Sequence, residues 1–146
     1  MNKIMIYLTI VCLNSIVVLS LPFNFSIDTR LTTGSVTNST TFRLPLESTG
    51  IYNFSVNWGD GTYNNNVITW NGVGSNHTYT SGGVYYVSIN GTLKGFTFNN
   101  AGDKTKILNV TNWGILSFVS TDVGIFKGCT NMNYIGNDYL DISNIT

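Results

Sequence analysis

The sequence has little charge and one histidine, and its apolar residues rarely follow a helical period. Of its 146 residues, seven are Lys or Arg and seven are Asp or Glu. Without a basic patch there is nothing to neutralise phosphates, which excludes nucleic acid as a partner. A metal cluster or a Ser-His-Asp triad would have to be built around His77 alone. The glycines are not followed by a helix or a Lys-Ser pair, so nucleotide-cradling loops are excluded as well. We predict no cofactor, no metal and no catalytic residue.

The first twenty residues have the pattern of a targeting segment. A basic start at Lys3 precedes a mostly apolar run over residues 4–19. Val18 and Ser20 supply the small residues that precede a signal-peptidase site, so we predict a signal peptide over residues 1–20. The alternative is a retained membrane anchor, but no basic stop-transfer cluster follows the run. The prediction is a secreted or cell-surface protein with no membrane span after cleavage.

Cysteine is scarce. Removal of the signal segment takes Lys3 and Cys12 with it, leaving seven acidic residues, six basic residues and a single thiol at Cys129. An intrachain disulfide is then impossible. Cys129 is either a small core residue, which we predict, or a thiol that pairs with another chain.

Asparagine, serine and threonine are abundant, and they form seven sequons for N-glycosylation. These are Asn24, Asn38, Asn53, Asn76, Asn90, Asn109 and Asn144. A chain of this composition also makes such triplets by chance. A glycan must point into solvent, and three of the seven lie on the polar faces of predicted strands, which makes them eligible.

Past residue 20 the apolar period is two, which predicts β-strands. In IYNFSVNW, residues Tyr52, Phe54, Val56 and Trp58 share one face, and Asn and Ser fill the other. Such alternation is typical of antiparallel strands with one face on a core and one in water. Gly-containing turns such as GDGT and TSGG separate the runs. Short strands with such turns indicate an all-β sandwich or barrel, and we predict the sandwich.

Near residue 99 the pattern changes. Apolar residues become irregularly spaced, with Asn and Gly between them. This spacing favours short strands and turns stacked in a solenoid coil. The apolar positions are Phe126, Cys129, Met132, Ile135, Leu140, Ile142 and Ile145.

The pieces WGDGT and HTYTSGGVYYVSINGT resemble the immunoglobulin-like domain of the polycystic-kidney-disease (PKD) type. That family carries a Trp, a Gly-Asp-Gly turn, then a His-x-Tyr, a Gly and an alternating Tyr-Val strand. The matching positions are Trp58, Gly59, Asp60, Gly61, His77, Tyr79, Gly83, Tyr85 and Val87. The resemblance implies an immunoglobulin-like sandwich over residues 21–98.

The tail FKGCTNMNYIGNDYLDISNIT resembles the opening of BspA-type leucine-rich-repeat surface proteins. Phe126, Cys129 and Met132 match a Phe-x-x-Cys-x-x-Leu unit, and residues 140–146 match Leu-Asp-Ile-Ser-x-Val-Thr. The resemblance implies a connector over residues 99–124 and an incomplete repeat over residues 125–146. It also implies a surface protein that binds other molecules.

Asp60 is the most suggestive single residue, since a carboxylate between two glycines can be a ligand, an acid or a turn corner. Calcium needs six to eight oxygens, usually from several carboxylates, and this loop carries one. We predict that Gly59, Asp60 and Gly61 form a structural turn. His77 is predicted to tether the loop opposite its strand.

Exposed aromatic residues are the better lead to function. Tyr63, Trp70, Tyr86 and Trp113 could stack on sugar rings, anchor a protein or complete the core. We predict a non-enzymatic adhesion or interaction module that binds a protein or glycan ligand on a surface, with the sandwich as spacer or binding domain. The alternative is a carbohydrate-binding accessory module of a secreted hydrolase.

Overall fold

The computed structural model describes residues 20–118 and 123–142, and this part of the chain is all-β. It contains no helix, so it contains none that could cross a membrane. The all-β prediction is confirmed. The first nineteen residues of the predicted signal peptide and the sequon at Asn144 lie outside the described residues. The strands are β1 (Phe23–Asp28), β2 (Thr41–Arg43), β3 (Leu46–Asn57), β4 (Tyr63–Val67), β5 (Asn76–Thr78), β6 (Val84–Phe96), β7 (Ile107–Asn112), β8 (Leu116–Ser117) and β9 (Asn133–Tyr134).

The strands form two sheets of different size. The larger has the order β4-β3-β6-β1-β7-β9, and β8 pairs with the C-terminal end of β6. The smaller consists of β2 and β5. Pairing is antiparallel throughout except for two short parallel contacts, β6 with β8 and β7 with β9. This arrangement is compatible with a β-sandwich.

The inner face of the larger sheet carries the residues that alternate as apolar in the sequence. Phe54, Val56 and Trp58 are at most 2% exposed. The small sheet covers this face, because Phe42 of β2 lies with its ring 6.1 Å from that of Phe25, and His77 of β5 stacks on Trp58. Period-two alternation therefore builds one aromatic core between two layers.

The segment 99–124, expected to be a connector, supplies two strands to the larger sheet. β7 pairs with β1 along its far edge, and β8 continues beside β6. Ile107, Val110 and Leu116 are buried in the same cluster as the residues of β1, β3 and β6. Residues 20–118 thus share a single hydrophobic core.

The tail packs on the edge that β7 forms. Asn133 and Tyr134 of β9 pair with Asn109 and Val110, two residues that each lie 24 positions earlier in the chain. Five partly buried apolar residues of the tail pack against the core: Ile125, Phe126, Cys129, Met132 and Leu140. Burial raises the pKa of the Cys129 thiol to about 12, which keeps it protonated.

A buried polar cluster fastens the loop before β2 to the turn before β7. Lys106 is fully buried, and its Nζ donates to the carbonyl oxygens of Asn38 (2.6 Å) and Thr41 (2.7 Å). It also contacts the carbonyl (3.3 Å) and the hydroxyl oxygen (2.7 Å) of Thr37. Burial lowers the pKa of Lys106, and the charge of Asp103 opposes that shift.

Asp103 completes this cluster from the other side. Its Oδ1 accepts from the backbone N–H groups of Val36 (3.2 Å) and Thr37 (3.0 Å). Its Oδ2 lies 2.7 Å from the hydroxyl of Thr37 and accepts from the backbone N–H of Arg43 at 2.8 Å. One buried carboxylate and one buried ammonium thus offset each other's charge through a shared threonine, and both are fully hydrogen-bonded.

Candidate functional site

The segment 59–61 is a tight turn between β3 and β4. Gly59 and Gly61 have φ angles of 82° and 89°, in the region that favours glycine. A side chain at Gly59 would overlap the backbone of Tyr86, whereas Gly61 faces open space. Asp60 Oδ1 accepts from the backbone N–H of Thr62 at 3.0 Å, the local bond by which Asp stabilises a turn.

The turn is also tied to β5 through His77. The Nε2 atom of His77 donates to Asp60 Oδ2 at 2.7 Å, and the two side chains are only 16% and 19% exposed. The imidazole stacks on Trp58, with ring centroids 5.0 Å apart, and meets the edge of Tyr79 at 4.5 Å. His77 thus joins the two sheets at this end of the molecule.

Thr62, Asp60 and His77 carry the groups of a nucleophilic triad, but their geometry differs from one. In a triad the carboxylate binds one imidazole nitrogen and the hydroxyl binds the other. Here the carboxylate and the hydroxyl both contact the same nitrogen, His77 Nε2, from which Thr62 Oγ1 lies 3.3 Å away. The hydroxyl also donates to Asp60 at 2.6 Å, so its proton points to the carboxylate. The arrangement is that of a tether.

The electrostatics of Asp60 agree with this role. Burial raises the pKa of its carboxyl group, but hydrogen bonds from Thr62 and His77 outweigh burial and hold the pKa below its ordinary value. A general acid at neutral pH needs the opposite shift. Within residues 20–118 and 123–142, no three His, Cys, Asp or Glu side chains come together to hold a metal ion.

The described sequons divide by exposure. Asn38, Asn53, Asn76 and Asn90 are exposed. Asn24 and Asn109 are half-buried because β1 and β7 pair beside one another. Asn24 Nδ2 lies 3.3 Å from Asn112 Oδ1, and Asn109 Nδ2 lies 3.5 Å from Ser26 Oγ. The amide nitrogen that a glycan would occupy is therefore engaged at both half-buried sites.

The four aromatic candidates occupy three different places. Tyr63 and Tyr86 are 63% and 73% exposed on the outer face of the larger sheet. Trp113 is buried, stacked between Phe23 and Tyr134 at the junction with the tail, so it is unable to meet a ligand. Trp70 is 47% exposed and lies in the loop between β4 and β5.

Trp70 borders a groove of about 370 Å³ between that loop, the strand β2 and the segment after β6. Apolar walls come from residues such as Leu44 and Phe98, and the polar lining includes Asn71 and Asn76. Arg43 is the one charged residue among the described residues that line it. Arg43 was not among the predicted site residues, although its position between Phe42 and Leu44 already marked it as outward-facing.

Comparison with known proteins adds no relative. The chain matches no protein-family model, no curated protein and no solved structure. The function must therefore be inferred from the groove and the surfaces themselves.

Proposed function

We propose that the protein is a non-enzymatic, secreted or cell-surface interaction module that binds carbohydrate in the groove at Trp70. One observation carries this proposal. Two of the three tryptophans, Trp58 and Trp113, are buried in the aromatic core, and Trp70 alone presents its ring to solvent beside a groove. An exposed indole loses the free energy of burial unless a ligand covers it.

The groove has the composition that a sugar ring requires. One face of a pyranose is apolar and stacks on an aromatic ring, while its hydroxyl groups exchange hydrogen bonds with amides and hydroxyls. Trp70 offers the ring, and Asn71, Ser75 and Asn76 offer polar partners along the same wall. The volume lies within the range of about 300–1,000 Å³ usual for small-molecule sites.

For the fold, we propose a PKD-like sandwich followed by the first coil of a BspA-type repeat. The turn at Asp60, its bond to His77 and the hydrogen bond from Tyr79 to the Trp58 carbonyl support the first part. Parallel pairing of β9 with β7 at an interval of 24 residues supports the second, because leucine-rich repeats are 20–29 residues long.

We also propose that the protein is not an enzyme and that it is secreted or displayed at the cell surface. Asp60 and His77 are held as a tether, with both polar neighbours on one imidazole nitrogen, which supports a binding role. The three exposed sequons outside the groove, Asn38, Asn53 and Asn90, support passage through a secretory route. An accessory module of a secreted hydrolase would use the same binding step and would differ only in the catalytic part joined to it.

A glycan array probed with the full chain tests the proposal. We expect binding to a restricted set of glycans, lost in Trp70→Ala and retained in Tyr86→Ala, an exposed aromatic on another face. Both variants should keep the wild-type melting temperature, since both rings are solvent-exposed. An array with no bound glycan, or binding that Trp70→Ala leaves intact, refutes the proposal.

A further inference from the structure

The groove carries one cation and no described anion. The thirteen described residues that line it include Arg43 and no Asp or Glu. The two ion pairs among the described residues join Arg30 to Asp28 and His77 to Asp60, so neither uses Arg43. Arg43 is exposed and lines the groove, and among the described residues no ion pair joins its side chain to a carboxylate.

The carboxylate nearest to Arg43 in the hydrogen-bond network does not neutralise it. Asp103 accepts from the backbone N–H of Arg43, not from its side chain. That carboxylate is fully buried beneath the strand, and its remaining bonds go to Val36 and Thr37. Lys106 offsets its charge through the Thr37 hydroxyl. Within residues 20–118 and 123–142, no carboxylate therefore pairs with the charge of Arg43.

We propose that the groove selects a sugar that bears a carboxylate, such as a uronic or sialic acid, with Trp70 under the ring and Arg43 on the acid group. This inference rests on the proposed function and names its ligand class. Arginine presents a planar fork of N–H donors that matches a carboxylate with two parallel hydrogen bonds. A single cation suits a ligand with one negative charge per ring better than a phosphate, which carries nearly two.

The position of Asn76 sets a condition for any test. This sequon residue is exposed and lines the same groove, so an attached glycan would stand where the ligand is placed. The experiment therefore uses the full chain produced in a host that adds no N-glycans.

The test measures dissociation constants by calorimetry for two acidic sugars and their neutral counterparts. The pairs are tetragalacturonate and sialyllactose, each with its carboxylate methyl ester. We expect at least one acid to bind at least about tenfold more tightly than its neutral counterpart, the effect of one charge-assisted pair. The pair that shows the difference identifies the source of the acid.

Arg43→Gln should remove this preference and leave the neutral sugar unaffected. Arg30→Gln, a matched loss of charge outside the groove, should preserve the preference. Arg43→Lys keeps the charge but not the fork and should give an intermediate affinity. Trp70→Ala should weaken acid and neutral sugar alike.

Each failure has a distinct meaning. Equal affinity for acid and neutral sugar, or a preference that survives Arg43→Gln, overturns the acidic-sugar inference while carbohydrate binding stands. No binding of any of the four sugars, with none on the array, overturns both. A Glu-rich peptide that competes as strongly as the sugar acid also overturns the inference, because the groove would then recognise an acidic peptide.

Discussion

The antiparallel strands β1 to β6 and the segments that follow them, which include the parallel contacts of β8 and β9, are ordered by different means. In the first region β3 pairs with β6 from Leu46 to Asn57, and buried apolar residues alternate with polar ones along both strands. In the second region the parallel contacts β6–β8 and β7–β9 are two residues long each. There the order comes from irregularly placed side chains such as Phe126, which touches Phe96, Phe98 and Trp113.

This difference separates backbone pairing from side-chain packing as sources of order. Long antiparallel ladders fix the register because a slip by one residue would turn every apolar side chain into water. Two-residue ladders lack that safeguard, and register in the tail depends on a few large side chains. Loss of one large side chain should therefore loosen the register in the tail, whereas the long ladders of the first region should keep theirs.

Lys106 lies at the boundary between the regions and offers the largest expected effect. Lys106→Met removes the ammonium donor from three carbonyl oxygens and the counter-charge from the Asp103 carboxylate. We expect a loss of about 4 kcal/mol in the free energy of unfolding. Urea denaturation followed by circular dichroism measures it, with Lys94→Met on β6 as control. A loss below about 1 kcal/mol would show that the cluster does not join the two regions.

Paired truncations of phenylalanine compare the regions directly. Phe54 is 2% exposed on β3, and its replacement by Ala should cost about 3 kcal/mol. Phe126 is only partly buried, and Phe126→Ala should cost about 2 kcal/mol. Amide hydrogen exchange decides how far each effect spreads. If Phe126→Ala speeds exchange in the tail alone, the tail opens independently. Equal acceleration in β3 would mean a single cooperative unit.

The turn between β3 and β4 should respond to a change in backbone strain. Gly61→Val places a β-branched residue at φ 89°, which should cost about 1–2 kcal/mol although no neighbour obstructs the side chain. Gly61→Asn is the matched control, since Asn tolerates positive φ, and it should cost less than half as much. Thermal unfolding measures both. Similar losses in the two variants would mean that strain is not the cause.

The smallest expected effect is a loss of stability at low pH that depends on two aspartates. The pKa of Asp60 in the first region is lowered as described above. In the tail, burial raises the pKa of Asp138, but hydrogen bonds from the backbone of Gly114 and Trp113 and from Tyr134 outweigh it, so this pKa is lowered too. A carboxyl group whose pKa falls on folding stabilises the protein above its unfolded value of 3.8. That stability is lost as the pH falls below 3.8 through the folded pKa.

Carbon-13 NMR titration of the two carboxyl groups checks the direction of both shifts. Asp60→Asn and Asp138→Asn should each reduce the melting temperature at pH 6 and have a smaller effect near pH 2. A melting temperature that responds to either variant equally at both pH values would contradict the predicted linkage.

The strands of the first region could be predicted because apolar and polar residues alternate between neighbouring positions of the sequence. The run from Tyr52 to Trp58 already marks which side chains face the core. The role of segment 99–124 was harder to see, because Ile107 and Val110 become core residues only when β7 finds β1 some eighty positions earlier. Short sequence windows carry no information on such pairings.

The groove was only half visible in the sequence. Trp70 was one of four aromatic candidates for ligand binding. Arg43, in a strand of only three residues, was not predicted as a site residue. The two come together because β2 pairs with β5 and brings the loop that carries Trp70 alongside. The fate of Trp113 depended in the same way on distant partners, since only the structure places Phe23 and Tyr134 on its two faces.

The ammonium group of Lys106 organises the loop before β2 in the way that a bound metal ion would. Three main-chain oxygens and a hydroxyl converge on one positive charge, which is the way in which many extracellular loops are organised by a calcium ion. Here the cation is part of the chain itself. The loop that positions β2 and Arg43 is therefore held by a cation that a chelator does not remove.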